Sequence, residues 1–139
     1  MGRALKFTGK DKILTYYSDI VNDFALNPIT QQLQLVTNEV AVGQAIKNLI
    51  LTNMTERFYH PEIGSKIQAG LFEFDDPLIV EAIRDSIEKT IVNNEPRVTV
   101  KQISVTGDSI NNRVQVTVVF TMANVPEVFN TSFFVNRNR

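Results

Sequence analysis

The chain reads as an α+β fold: two main helices packed on one face of a small antiparallel sheet at the C-terminal end. Three observations carry this reading. Isoleucines at 79, 83, 87 and 91 recur every four residues, the spacing of one buried helix face. From Val98 the apolar period becomes two, the spacing of strands, and it returns in two further runs up to Val135. Between these regimes stands Glu95-Pro96-Arg97. Its proline lacks an N–H and pushes the preceding residue out of the helical region, so the helix must stop there. Helices come first and strands last, which segregates the helices to one face of the sheet.

Taken in order, residues 1–15 are polar and basic and are expected to form a flexible N-terminal arm, with residues 16–139 as one domain. Tyr16, Tyr17 and Phe24 suggest an aromatic anchoring segment, broken by Asn27-Pro28. Gln32 to Val36 alternates as a short strand. A helix is expected to open near Thr37-Asn38, with Asn38 as N-cap and Glu39 in the first turn, and to end near Leu51-Thr52. Val42, Ile46, Leu49 and Ile50 form its buried face, and Gly43 is placed for a close approach. Residues 53–67 read as a long loop pinned by Phe58, Tyr59 and Ile63, followed by a short helix from Ile67 to Phe72. Asp76 and Pro77 supply the N-cap and first position of the isoleucine helix. Arg84 with Glu88 and Asp85 with Lys89 are candidate ion pairs on its wet face.

Beyond Arg97, Val98 and Val100 fall out of phase with Ile103 and Val105, which predicts a bulge near Lys101-Gln102. Gly107-Asp108 and Asn111-Asn112 bracket a hairpin loop. Val114 to Phe120 alternates as an interior strand with one buried face. Pro126 is expected to break the chain before a last strand from Val128 to Val135.

Composition narrows function. The 139 residues carry 14 basic and 15 acidic side chains and no cysteine. Near-neutral charge gives no basic face for nucleic acid, the missing cysteines exclude disulfides and thiolate metal sites, and no apolar run reaches a membrane span. No secretory signal is read at the N-terminus. Charge is uneven, however. Residues 1–12 carry net +3, Arg137 and Arg139 add +2, and the body between them is left at −6. Basic ends on an acidic body suit contacts within an assembly.

The run of Thr55-Glu56-Arg57, Pro61-Glu62-Ile63-Gly64, Leu71-Phe72-Glu73 and Glu95-Pro96-Arg97, in this order, resembles the baseplate wedge protein of contractile-tailed phages. That family is also called the sheath initiator and has a relative in the type VI secretion baseplate. The similarity spans about Tyr16 to Phe120. It implies a structural, non-enzymatic protein of the virion's tail baseplate, assembled in the host cytoplasm in several copies. Its implied partners are the helical core bundle of the wedge and the tail sheath protein. Glu95, Pro96 and Arg97 would dock the core bundle, with Glu56 and Arg57 beside them. The C-terminal sheet would accept strands from sheath protein along Phe129, Thr131 and Phe133. The strand from Val128 to Asn136 contains neither charge nor proline to blunt such an edge.

The same family often carries the label "lysozyme-like", and peptidoglycan hydrolysis is the alternative function. It needs two positioned carboxyls, one with a raised pKa. The candidates are Glu56, Glu62, Glu73 and Glu95, two of them next to arginines that lower a carboxyl's pKa. His60 is the single histidine and could pair with Glu62, but one histidine without cysteine makes no usual zinc site. No catalytic residue, cofactor or metal is therefore expected. Glu95 and Arg97 are expected to serve docking more than folding, so that Arg97→Ala leaves the melting temperature almost unchanged.

Overall fold

The computed structural model describes residues 16–71, 76–108, 110–123 and 125–136. The expected N-terminal arm, together with Phe72, Glu73 and the terminal arginines, lies outside them. Strands β1 (Ser18–Ile20) and β2 (Leu35–Thr37) form a small antiparallel pair. Helices α1 (Asn38–Leu51), α2 (Ile67–Gly70) and α3 (Pro77–Asn94) follow. The chain ends in β3 (Val98–Asp108), β4 (Arg113–Met122) and β5 (Val125–Asn136), an antiparallel sheet in the order β3-β4-β5. Helix α3 lies against β3 and α1 against β5, so the α+β reading holds. The core between the layers is built from Val42, Ile46 and Ile50, from Ile83, Ile87 and Ile91, and from the inward row Val114, Val116, Val118 and Phe120.

Helix α3 begins as expected, with the Asp76 carboxylate accepting from the Leu78 N–H at 2.9 Å and Pro77 in the first turn. Its wet-face ion pair differs. Arg84 bonds Glu81 at 2.8 Å instead of Glu88. Glu81 precedes the arginine, the order that agrees with the helix dipole, whereas Glu88 follows it. Asn38 is not the N-cap of α1. Thr37 takes that position, and Asn38 sits in the left-handed region at φ 49°. Its side-chain oxygen instead accepts from the backbone N–H groups of Tyr16 and Tyr17, tying the entering chain to the helix.

Gly43 allows the close approach its place suggested. A Cβ built there would lie 3.4 Å from the Thr131 side chain, so α1 seats directly on β5. The expected bulge is at Lys101. Pairing passes from Val100–Phe120 to Gln102–Val119 and leaves Lys101 as the extra residue. The hairpin between β3 and β4 turns through Asn112 at φ 51°, and the Asp108 carboxylate accepts from Asn111 and Arg113.

Three expectations are corrected. Pro126 does not precede the last strand but lies within β5. The register jumps from Val125–Met122 to Val128–Thr121, so Pro126 and Glu127 form a bulge on an edge strand, where a missing N–H is tolerated. The aromatic anchor is reduced to Tyr17, which packs on the core, while Tyr16 and Phe24 are exposed. Phe58 and Tyr59 do not pin the long loop, being 98% and 93% exposed. The loop is closed by polar bonds at its base. Ser65 Oγ donates to the Ile50 carbonyl at 2.6 Å, Ser65 N to the Thr52 carbonyl, and Thr55 N to the Pro61 carbonyl. Gly64 is indispensable there: at φ 137°, a Cβ would stand 2.6 Å from the Thr52 carbonyl oxygen.

Candidate docking site

The corner between α3 and β3 is built by its backbone first. Glu95 N–H donates to the Ile91 carbonyl and closes the helix, and the Glu95 carbonyl accepts from Val98 N–H as the strand starts. Arg97 is stitched to the β4–β5 turn through its carbonyl, which accepts from Ala123 N–H at 3.0 Å. This geometry turns the Glu95 side chain inward, and the residue is only 7% exposed. Arg97 reaches back over Pro96 and grips it bidentately, Nε to Oε1 and Nη2 to Oε2, both at 2.6 Å. The carboxylate's hydrogen bonds push Arg97 still higher above its ordinary range, against a smaller opposing effect of burial. The guanidinium also lies 5.2 Å from the centre of the Tyr17 ring. A buried carboxylate, a half-exposed arginine and an exposed Pro96 thus form one rigid knuckle, held from the N-terminal side by Tyr17.

The second candidate surface is β5. Among the described residues it pairs only with β4, so its outer edge is open. The side chains of Phe129, Thr131 and Phe133 face the helices. Phe129 packs against Phe120 at 6.2 Å between ring centres, Thr131 against Gly43, and Phe133 is buried. What the edge presents outward is therefore backbone, with exposed Val128 and Phe134 on the opposite face. A groove of ≈ 480 Å³ runs beside the edge, walled by Gly43 and Gln44 of α1, by Val21 and by Asn130 and Thr131. The corner leads into β3, which is separated from β5 by β4, and it lies at the end of the sheet where the β4–β5 turn is.

Glu56 and Arg57 sit on the loop between α1 and α2. Both Glu56 carboxylate oxygens accept from Asn53, one from its backbone N–H and one from its side-chain amide, each at 2.9 Å. Glu56 therefore braces its own loop and is not paired with Arg57. His60 Nδ1 and Glu62 Oε1 do meet, at 3.0 Å, in an exposed pair. The Glu62 backbone amide first, and His60 second, hold this carboxyl below its ordinary range. A general acid needs the opposite shift. Of the four carboxyls that hydrolysis could use, Glu56 is bound to amides, Glu62 is acidified, Glu95 is clamped by arginine, and Glu73 lies outside the described residues. Among the described residues no three His, Asp or Glu side chains converge on a metal position.

Two features escaped the sequence. The Tyr17–Arg97 contact joins residues far apart in the chain, with no local signal. The apolar exposure of the β1–β2 region had one, since residues 24–38 contain no charged side chain.

The family model described as baseplate wedge protein gp25 matches residues 36–127. No curated protein matches the sequence. Among solved structures, a Geobacter sulfurreducens protein labelled a tail lysozyme is similar at TM-score 0.67 and 16% identity, over 73% of this chain and 92% of that one. A chain of the six-fold symmetrised baseplate of the anti-feeding prophage is similar at TM-score 0.60 and 19% identity, over 88% and 87%. A chain of the post-contraction baseplate of pyocin R2 is similar at TM-score 0.55 and 15% identity, over 72% and 98%. At these identities the structural likenesses establish the shared fold.

Proposed function

Because this chain belongs to the baseplate wedge protein gp25 family and so has a structural role in a contractile-tail baseplate, we propose that it joins the wedge core to the first ring of sheath. In this reading the Glu95-Pro96-Arg97 corner meets the helical core bundle, and the outer edge of β5 accepts a strand from sheath protein. Several copies act together in the baseplate, assembled in the host cytoplasm. The observation that carries the reading is the open edge of β5, which pairs only with β4 among the described residues. Strand addition is the physics that fits it: unpaired backbone N–H and C=O groups offer affinity, and the flanking side chains set register.

The test uses Val128, because it is 63% exposed on this edge strand and its replacement leaves the core untouched. A lysine there blunts the edge. Val128→Lys is expected to fold normally, enter baseplates and fail to start sheath, as seen by negative-stain microscopy of assembled tails. Sheaths of normal length and number on such baseplates would overturn the strand-pairing reading. Thr131 serves less well as a probe, since its side chain abuts Gly43 and a proline there disturbs the helix–sheet contact.

A further inference from the structure

We infer that the groove between α1 and the outer edge of β5 selects which strand this edge takes up. The strand it fits sets an apolar side chain over Gly43 and, two residues away on the same face, a basic side chain against Glu39. The inference rests on the strand-pairing reading proposed above and adds to it the sequence that the edge accepts.

The period of a strand brings the groove into play. Phe129, Thr131 and Phe133 face the helices, so alternate residues of a strand added to the same sheet face them too. Such a strand lies ~4.8 Å beyond β5. Its residue beside Thr131 then stands over the groove of ≈ 480 Å³, which Val40 and Gly43 line from α1 and Val21 lines from the segment after β1. Gly43 has no side chain and Thr131 a short one, so the added residue meets room there and not a wall. Val40 is 55% exposed, an apolar side chain left in water on a well-formed helix. Covering it favours an apolar occupant at this position.

Charge sets the neighbouring position. Glu39 lines the same groove and precedes Gly43 by four residues, a rise of ~6 Å along the helix. Side chains two residues apart on one face of a strand are ~6.6 Å apart. A strand running along the groove therefore meets Gly43 with one residue and Glu39 with the next on that face. Gln44 is already committed, its Oε1 accepting from Asn22 N–H at 3.2 Å and its Nε2 donating to the Ile20 carbonyl at 2.7 Å. Asp23 and Lys47 also line the groove and are of opposite sign. Among the described residues no ion pair uses Glu39. Glu39 is thus the acid left over, and it attracts a basic side chain and repels an acidic one.

Assembled tails carrying substitutions in this chain test the inference, with sheathed tails counted by negative-stain microscopy beside those of Val128→Lys. Glu39→Lys and Val40→Glu change exposed side chains in the first turn of α1, and both should keep the melting temperature within a few degrees. Each is expected to lower the number of sheathed tails at least fivefold, and Glu39→Gln to lower it less. Sheath-protein variants selected to restore assembly with Glu39→Lys are expected to replace a basic residue by an acidic one two positions from an apolar residue, and to fail with the unsubstituted chain. Suppressors of any other kind would overturn the charge assignment. Normal sheathing in Glu39→Lys and Val40→Glu, with Val128→Lys blocked, would overturn the groove inference alone. Normal sheathing in Val128→Lys would remove the strand-pairing reading and this inference with it.

Discussion

Arg97 closes on Glu95 through two bonds of 2.6 Å, and the carboxylate it neutralises is almost wholly buried. The pair is therefore part of the fold as well as a surface feature. Removing the arginine strands a buried acceptor, which costs about 1–3 kcal/mol, more than an exposed pair is worth. Arg97→Ala is expected to lower stability by that amount in urea unfolding. The combination with Glu95→Gln should recover part of the loss, a coupling that a double-mutant cycle reads directly. This replaces the expectation of an almost unchanged melting temperature.

Two glycines should respond in opposite senses to alanine. At Gly43 the new methyl meets Thr131 at ordinary contact distance, while the helix gains up to about 1 kcal/mol, so Gly43→Ala should be neutral to stabilising. Gly43→Val overfills the same contact and should cost about 1–3 kcal/mol. At Gly64 both the backbone angle and the carbonyls of Thr52 and Asn53 forbid a side chain. Gly64→Ala should destabilise by about 1–3 kcal/mol and raise amide exchange across the base of loop 53–65.

Much of this could be read in advance, for reasons that lie in particular residues. The isoleucine spacing of α3, the Asp76-Pro77 start and the phase slip at Lys101 are local signals, and local rules decided them. Phe58 and Tyr59 show the limit. Apolarity says what a residue prefers, not whether the loop that carries it can fold back, and here the polar bonds of Ser65 and Thr55 close the loop without them. Pro126 shows another, since a proline breaks a central strand but fits a bulge on an edge. At the corner between α3 and β3 the motif was legible. The burial of Glu95 was not, because no local pattern gives the way the corner's backbone turns or the ties of Arg97 to Tyr17 and Ala123 from elsewhere in the chain.

Acid should weaken the β3–β4 hairpin first through Asp108. The Asn111 side chain foremost, then Arg113 and the Asn111 amide, hold its carboxyl below the ordinary aspartate range. A depressed folded pKa stabilises above the unfolded value and is lost as pH falls through the folded one. Stability should therefore be flat near neutrality and fall below the ordinary aspartate range. Asp108→Asn should flatten that acid limb in melting temperatures recorded against pH.

The purified protein is expected to release no reducing sugar from peptidoglycan. Glu56→Gln and Glu62→Gln should change no turnover, because neither carboxyl is placed as a proton donor. Lysis by the wild type that one of these substitutions abolishes would reinstate a hydrolase.

The two outer strands of the sheet are not equivalent. β3 carries its bulge and Lys101 in mid-strand, whereas β5 confines Pro126 and Glu127 to its first residues and runs plain from Val128 to Asn136. Bulges and lysines are what keep an edge from being extended. A sheet guarded on one flank and plain on the other has a polarity: it can begin a series of added strands but cannot be inserted into the middle of one. If the strand-pairing reading proposed above holds, a molecule of this kind would act as a seed and not as a repeating unit. The number of polymers started should then follow the number of such seeds, independently of how much monomer is supplied.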